Sequence, residues 1–394
     1  MSIDDAAERA RTRLVDYLRD EGVVRSAAVE KALRRVPRHR FLDGTDAAEA
    51  YADRAVPTKR DADGTLVSSA SQPTMVATML EQLDVRPGDR VLEIGTGTGY
   101  NAALLKELAG DAGAVTTLDV APDLVDRARA NLAGLPFPVT AVAADGVDGY
   151  APNAPYDRII VTTGAWDLPP AWWEQLAPDA RIVVPLRWRG LTRSVAFDHR
   201  DGRLTARSML PCGFLPMRAR DGERSLSLVG GRVTVVGDED QAIGADALAG
   251  VFDRPRAETW SGVHVATAWE PVQALALRLA AAEPGACALH AQPWAVDGGL
   301  VAPVLPTFAP AVVDGPSLAY LAARPTSPGR AELGAIGHDS GDLTDRVVDQ
   351  IHLWHETAPE PTLTAYRNGT ARPDRGTAML KRHTTLVMTL PSAH

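Results

Sequence analysis

The segment Val91-Leu92-Glu93-Ile94-Gly95-Thr96-Gly97-Thr98-Gly99-Tyr100 concentrates the chemistry of this chain. An apolar run reads as a buried strand, and three alternating glycines then turn the backbone into a helix N-terminus. Glycine lets a main chain pass close to a ligand where any side chain would collide. A pyrophosphate turn needs G-x-G-x-x-G, and Tyr100 occupies the sixth position here, so that reading fails. Asp119 closes the next strand, about 20 residues beyond the turn, where a carboxylate can accept from both hydroxyls of a ribose. Asp145-Gly146 closes the strand after that. A glycine turn alone can be purely structural; two acidic residues in register with it favour a ligand.

The elements that must hold these residues follow from the pattern. Helical spacing runs over 4–20 and again over 26–36, where Pro37 stops it. Residues 38–70 read as loop. Ser71 is a candidate N-cap before Pro73, with Met75, Met79, Leu80 and Leu83 at helical spacing. Strands are expected at 90–94, 115–119, 139–144, 158–162 and 180–185, alternating with helices at 100–109, 122–132 and 170–176. Such alternation implies an α/β, doubly wound parallel sheet with helices on both faces. Residues 194–198 and 204–210 flank His199-Arg200-Asp201-Gly202-Arg203 and read as an antiparallel hairpin closing the sheet edge. A polar stretch at 219–225 suggests a boundary, giving domains 1–220 and 221–394. The second half shows strand-like runs at 233–236 and 386–390 and helix-like runs at 271–282 and 343–354. It reads as α+β.

Composition narrows the class. The chain has 394 residues, 45% hydrophobic and 23% charged, with a net charge of −9. That length suits two domains with ample core. An acidic balance without a dense Lys/Arg block argues against nucleic acid as a partner. Two distant cysteines, Cys212 and Cys287, make neither a disulfide framework nor a metal cluster, so no metal and a cytoplasmic location are expected. Asp4, Asp5 and Glu8 open the chain unlike a leader peptide, and no apolar run is long enough for a bilayer.

The G-x-G-x-G form resembles the first motif of class I methyltransferases, a Rossmann-like fold. Val-Pro-Arg-His-Arg-Phe-Leu-Asp at 36–43, Ala-Tyr-Ala-Asp-Arg-Ala-Val-Pro at 50–57 and Ser71-Gln72-Pro73-Thr74-Met75-Val76-Ala77 resemble protein-L-isoaspartate O-methyltransferases. So do Ala-Pro-Tyr-Asp-Arg-Ile-Ile-Val-Thr at 154–162 and Gly213-Phe214-Leu215-Pro216-Met217. The resemblance runs in family order from about residue 10 to 218. It implies S-adenosylmethionine as cofactor, S-adenosylhomocysteine as product and a peptide carboxylate as acceptor. The implied cofactor-binding set is Gln72, Glu93, Gly95, Thr96, Gly97, Thr98, Gly99, Asp119, Val120, Asp145, Gly146 and Thr163, with Asp145 and Gly146 near adenine. Ser71 matches the family's active-site serine and can be a helix cap as well. Trp166 can shape the acceptor cleft or sit in the core. Arg218 can contact the acceptor, or be a solvated surface charge, which is favoured.

The second half departs from the compact repair enzymes. Trp260-Ser261-Gly262-Val263, Ser317-Leu318-Ala319-Tyr320-Leu321 and Lys381-Arg382-His383 resemble a subgroup tied to ribosomal peptide tailoring, including lanthipeptides and graspetides. That implies methylation of an ordinary aspartate in a cyclised precursor peptide, then closure to succinimide (aspartimide) and in some cases opening to isoaspartate, with the second half selecting the substrate. General isoaspartate repair is the alternative, and an inactive methyltransferase fold used as a scaffold is the alternative of another class. His352 and His355 read as a helix face in preference to a metal pair. His383 reads as a solvated basic residue or a substrate contact, Cys212 as a buried structural thiol, and Trp172-Trp173 as a packing face.

Overall fold

The computed structural model describes residues 3–136, 138–217, 222–266, 269–357, 360–372 and 375–390. The chain groups into two compact units, Met1–Leu186 with Arg193–Ala219, and Arg187–Thr192 with Arg220–His394.

In the first unit α1 (Ile3–Asp20) and α2 (Ala27–Arg35) come first, the latter capped by Ser26, whose side chain accepts from Val29 N. Residues 38–70, expected as loop, instead hold a 3-10 turn at Arg38–Phe41, a short α3 (Ala47–Ala50) and an antiparallel hairpin of β1 (Val56–Arg60) and β2 (Leu66–Ala70). Pro57 and two register shifts break the alternation by which a strand is read from sequence. The hairpin is held by contacts distant in sequence: Lys59 Nζ lies 2.7 Å from Asp123 Oδ1.

The central sheet uses β3 (Arg90–Ile94), β4 (Ala114–Asp119), β5 (Thr140–Ala143), β6 (Tyr156–Val161), β7 (Leu176–Trp188), β8 (Leu191–Arg200) and β9 (Arg203–Pro211). These strands lie in the order β9-β8-β7-β6-β3-β4-β5. Strands β3 to β7 pair in parallel. They are linked through α5 (Tyr100–Ala109), α6 (Pro122–Leu132) and α7 (Pro170–Gln175), while α4 (Pro73–Leu83) leads into β3. The chain starts at β3, steps outward to β4 and β5, and returns to the other side as β6. The switch point therefore lies between the C-terminal ends of β3 and β6, where open α/β sheets bind ligands. The β8–β9 hairpin is antiparallel as expected; Asp201 and Gly202, both at positive φ, make its two-residue turn. Strand β7 starts at Leu176, directly after α7, so it is longer than its apolar core suggested.

The second unit is sheet-rich. Strands β10 (Glu223–Leu228), β11 (Val233–Asp238), β12 (Arg256–Val265), β13 (Ala286–Ala291), β14 (Phe308–Asp314), β15 (Ser317–Ser327) and β16 (Arg330–His338) form an antiparallel sheet in the order β10-β11-β13-β14-β15-β16-β12. Helices α8 (Trp269–Ala282) and α10 (Leu343–Thr357) pack on it, a shorter α9 (Pro293–Asp297) follows β13, and β17 (Thr362–Arg367), β18 (Thr377–Leu380) and β19 (Thr384–Thr389) pair in antiparallel fashion. The expectation of α+β content holds. His352 and His355 lie on α10, and His352 Nε2 is 2.9 Å from Ser261 O. Among the described residues no group of side chains has the makings of a metal site, and no helix is long and apolar enough to cross a membrane.

A buried ion pair fastens this unit. Lys381 Nζ lies 2.9 Å from Asp238 Oδ2, with both side chains fully excluded from water. Asp238 Oδ2 also accepts from Arg189 N, and Arg189 pairs with Asp240. These bonds hold Arg189 at a positive φ, where a non-glycine residue is strained. The substitution Asp238→Asn removes the carboxylate bonded to the buried Lys381 ammonium, and we expect a loss of about 3–5 kcal/mol. Urea unfolding checks this: the variant's transition should come clearly earlier, and an unchanged midpoint would show that the pair contributes nothing.

Candidate functional site

The glycine turn follows β3. Gly95, Gly97 and Gly99 have φ of 109°, 51° and 88°, values that L side chains resist. At Gly95 space is also absent, since a Cβ would lie 2.2 Å from Thr162 Oγ1. Thr162, just past β6, donates that hydroxyl to Gly95 O at 2.8 Å and its N–H to Ile94 O at 2.8 Å. The ends of β3 and β6 are thus stitched together at the switch point. Gly99 caps α5. Thr96 and Thr98 are buried, so the turn presents main chain more than side chains.

Asp119 ends β4 as expected. Its Oδ2 accepts from Gly97 N at 3.1 Å and its Oδ1 from Ala121 N at 3.1 Å. Each carboxylate oxygen keeps a lone pair for a further donor. Val120 beside it is exposed. Asp145 follows β5 and caps a short 3-10 turn by accepting from Val147 N. Gly146 abuts Ile94, and a Cβ there would lie 2.3 Å from Ile94 Cγ2. Helix α7 fixes this loop. Trp172 Nε1 donates to Gly146 O at 2.8 Å, Gln175 Nε2 donates to Asp148 O, and Gln175 Oε1 accepts from Tyr150 N. Trp172 therefore packs, as its sequence suggested, and also clamps the loop. Thr163, one residue past Thr162, has a buried hydroxyl with no partner among the described residues.

Glu93 corrects an expectation. It is fully buried beneath the turn. Its Oε1 accepts from Asn101 Nδ2 at 2.8 Å and its Oε2 from Thr117 Oγ1 at 2.6 Å. Thr117 donates its one hydroxyl proton to Glu93, which leaves Thr96 as the donor in the 2.7 Å pair with Thr117. Glu93 thus braces β3, β4 and α5, and its carboxyl does not face a ligand. Burial pushes it up to about 7, against the pull of Thr117 and Asn101.

Ser71 is not the helix cap. Gln72 holds that position and makes no side-chain cap bond. Asp53 supplies the acceptor from a distance: Oδ1 takes Thr74 N at 2.8 Å, while Oδ2 takes Thr74 Oγ1 and Gln72 Nε2. A side chain 21 residues upstream does the work that local sequence assigned to Ser71. Ser71 is half-buried, with its carbonyl accepting from Arg38 Nη2 at 2.9 Å. Nearby, Ser68 Oγ lies 3.9 Å from where a Cβ on Gly97 would stand, so the β1–β2 hairpin approaches the turn. Trp166 is buried, which favours its core role. Arg218 lies outside the described residues. Cys212 is half-buried, less than expected, with its thiol pushed up to about 12 by burial. The structure thus brings Gly95, Gly97, Asp119, Gly146 and Thr163 to the C-terminal ends of four adjacent strands. Sequence reasoning missed Asp53, Arg38 and Thr117; the first two lie in segments quoted for the family resemblance, the one signal that pointed at them.

A doubly wound sheet, a glycine turn at the switch point and a carboxylate at the end of the second strand define a class I S-adenosylmethionine-dependent methyltransferase. A solved protein-L-isoaspartate O-methyltransferase shares the fold with a TM-score of 0.50 at 21% identity, over 90% of this chain and 96% of its own. The protein-L-isoaspartate(D-aspartate) O-methyltransferase family model matches residues 9–222, and the chain belongs to that family. Similar relatives include the protein-L-isoaspartate O-methyltransferases of Methanopyrus kandleri, 40% identical over 222 residues (56% of this chain, 96% of the relative), and of Hyperthermus butylicus, 40% identical over 225 residues (55% and 91%). The chain is accordingly a carboxyl O-methyltransferase, with S-adenosylmethionine as methyl donor.

The Glu93 titration has a testable sign. Folding raises its pKa from the ordinary 4.5 to about 7, so the folded state holds this proton more tightly. Its stabilising contribution is complete below the unfolded value and is lost as pH rises through the folded one, a swing on the order of 3 kcal/mol. Glu93→Gln should erase that slope, so the variant gains on wild type as pH rises from about 5 to about 8 in urea unfolding. Parallel stability curves would show that Glu93 does not titrate there.

Proposed function

We propose that this enzyme methylates the side carboxylate of isoaspartyl residues in proteins and peptides. The observation that carries this reading is the 40% identity of the first unit to an enzyme named protein-L-isoaspartate O-methyltransferase, over 96% of that relative. S-adenosylmethionine supplies an electrophilic methyl group on a sulfonium. The residues present fit it: the turn leaves open space at Gly97, where the nearest atom to an added Cβ is Ser68 Oγ at 3.9 Å, and Thr163 offers an unused hydroxyl. In this reading Asp119 accepts from the ribose hydroxyls, Gly95, Gly97 and Gly99 give close main-chain approach, and Asp145, Gly146 and Val120 border the base. Thr96 and Thr98 shape the turn, Glu93 braces it, and Gln72 with Asp53 fixes the start of α4.

The acceptor needs little activation. A carboxylate with an ordinary pKa near 3.9 is ionised at neutral pH, so no strong general base is required. What the site must supply is alignment, worth roughly 7–11 kcal/mol in favourable cases. Ser71 donates a hydrogen bond that orients the carboxylate. The oxygen–methyl bond forms as the methyl–sulfur bond breaks, giving a methyl ester. The following backbone nitrogen then attacks the ester carbonyl, and methanol leaves with the nitrogen's proton as a five-membered succinimide closes. We assign acceptor selection to the second unit, residues 221–394.

A second reading rests on the C-terminal segments that resemble the peptide-tailoring subgroup: the same site would methylate an ordinary aspartate of a cyclised ribosomal precursor. Mass spectrometry with S-adenosylmethionine separates the two. Methyl gain, then methanol loss, on a generic isoaspartyl peptide supports the repair reading. Methylation confined to a cyclised aspartyl peptide would replace it with tailoring, and cofactor binding to neither unit would leave a scaffold.

The unused Thr163 hydroxyl gives a sharper check on the cofactor. Thr163→Val removes no bond within the described residues, so stability should hold, while S-adenosylmethionine affinity falls by about 1 kcal/mol, roughly fivefold. Unchanged affinity in calorimetry would remove Thr163 from the cofactor site.

A further inference from the structure

Behind Ser71 lies a buried cation. Arg38 is 1% exposed. Its Nε donates to Ala50 O and its Nη2 to Ser71 O, each at 2.9 Å. The guanidinium carbon stands 5.1 Å from the ring centroid of Tyr100, the residue that follows the glycine turn. Nη1 is buried and has no partner among the described residues. The titratable groups facing Arg38 are Tyr51, Asp53 and Tyr100, with Arg11 beside both tyrosines. Asp53 is the one carboxylate of that set, and its oxygens are engaged by Thr74 and Gln72. Burial lowers the Arg38 pKa from its ordinary value, but guanidinium stays protonated in proteins.

Carbonyl oxygens disperse such a charge and do not cancel it. A buried cation with no carboxylate bonded to it is costly, and inside a protein its field reaches neighbouring groups with little screening. One of the carbonyls it bonds is that of Ser71. We propose that Arg38 is a positioning residue for the acceptor: it clamps the Ser71 main chain and supplies the positive field that makes an anionic carboxylate preferred over a neutral group. This rests on the reading that Ser71 meets the acceptor. Through Tyr100 the same side chain ties the acceptor serine to the start of α5, and so to the turn that carries the cofactor.

The test is a pair of peptides, one with an isoaspartyl carboxylate and one with the carboxamide isostere, bound to the full chain loaded with S-adenosylhomocysteine so that no turnover occurs. Wild type should bind the carboxylate about tenfold or more tightly, the size of one charge-assisted hydrogen bond. Arg38→Gln should bring the ratio close to one while S-adenosylhomocysteine affinity stays unchanged, which also reports that the variant is folded. Arg38→Lys should keep the preference at low pH and lose it as pH rises, because a buried lysine gives up its proton; the wild-type ratio should stay flat. The Glu93 titration cancels in this ratio. Equal binding of both peptides to wild type overturns the inference even if neither variant folds, as does a full preference surviving in Arg38→Gln. Loss of cofactor affinity together with peptide affinity would reduce Arg38 to a structural strut. A wild-type chain that binds S-adenosylhomocysteine but neither peptide overturns the acceptor reading itself, and the inference with it.

Discussion

The contact between Gly95 and Thr162 governs the site. A Cβ at Gly95 would stand 2.2 Å from the Thr162 hydroxyl, so the ends of β3 and β6 can meet only if residue 95 has no side chain. Their meeting closes the switch point of the sheet and fixes where the turn begins. From there the geometry propagates outward. Gly97 N reaches Asp119, Gly99 opens α5, and Ile94 leaves no room for a side chain at Gly146.

Charge is handled sparingly around this turn. Glu93 sits beneath it, fully buried, and holds β3, β4 and α5 through Thr117 and Asn101. Its pKa, pushed up to about 7 by burial, means that the brace changes charge near neutrality. Arg38 is the counterpart behind Ser71, buried and bonded to carbonyls. In the second unit the buried pair Lys381–Asp238 does a different task, neutralising itself and locking the tight turn at Arg189.

Much of the first unit was legible in the sequence because parallel strands are covered on both faces. Residues 90–94 and 158–162 read as apolar runs and lie within or beside the strands Arg90–Ile94 and Tyr156–Val161, and Pro122–Leu132 announces its own start with a proline at the first helical position. The glycine turn and Asp119 were legible for the same reason: their roles follow from local backbone geometry. What escaped depends on contacts distant in sequence. The β1–β2 hairpin is held to α6 by Lys59 and Asp123, and no periodicity in residues 56–70 announces it. Capping of α4 comes from Asp53, so Ser71 looked like a cap although Asp53 performs that function. Glu93 precedes a ligand-binding turn in the chain but points into the core, a direction only the packed sheet decides. The extension after residue 222 suggested peptide tailoring through a few short segments, and the family match ends where it begins.

The most direct test of this account is a crystal structure of the protein with S-adenosylhomocysteine and an isoaspartyl peptide. The account predicts both ribose hydroxyls on Asp119, the thioether sulfur beside the glycine turn, and the peptide carboxylate on the Ser71 hydroxyl, in line with that sulfur. A ribose bound away from Asp119, or a carboxylate held by residues other than Ser71, would contradict it.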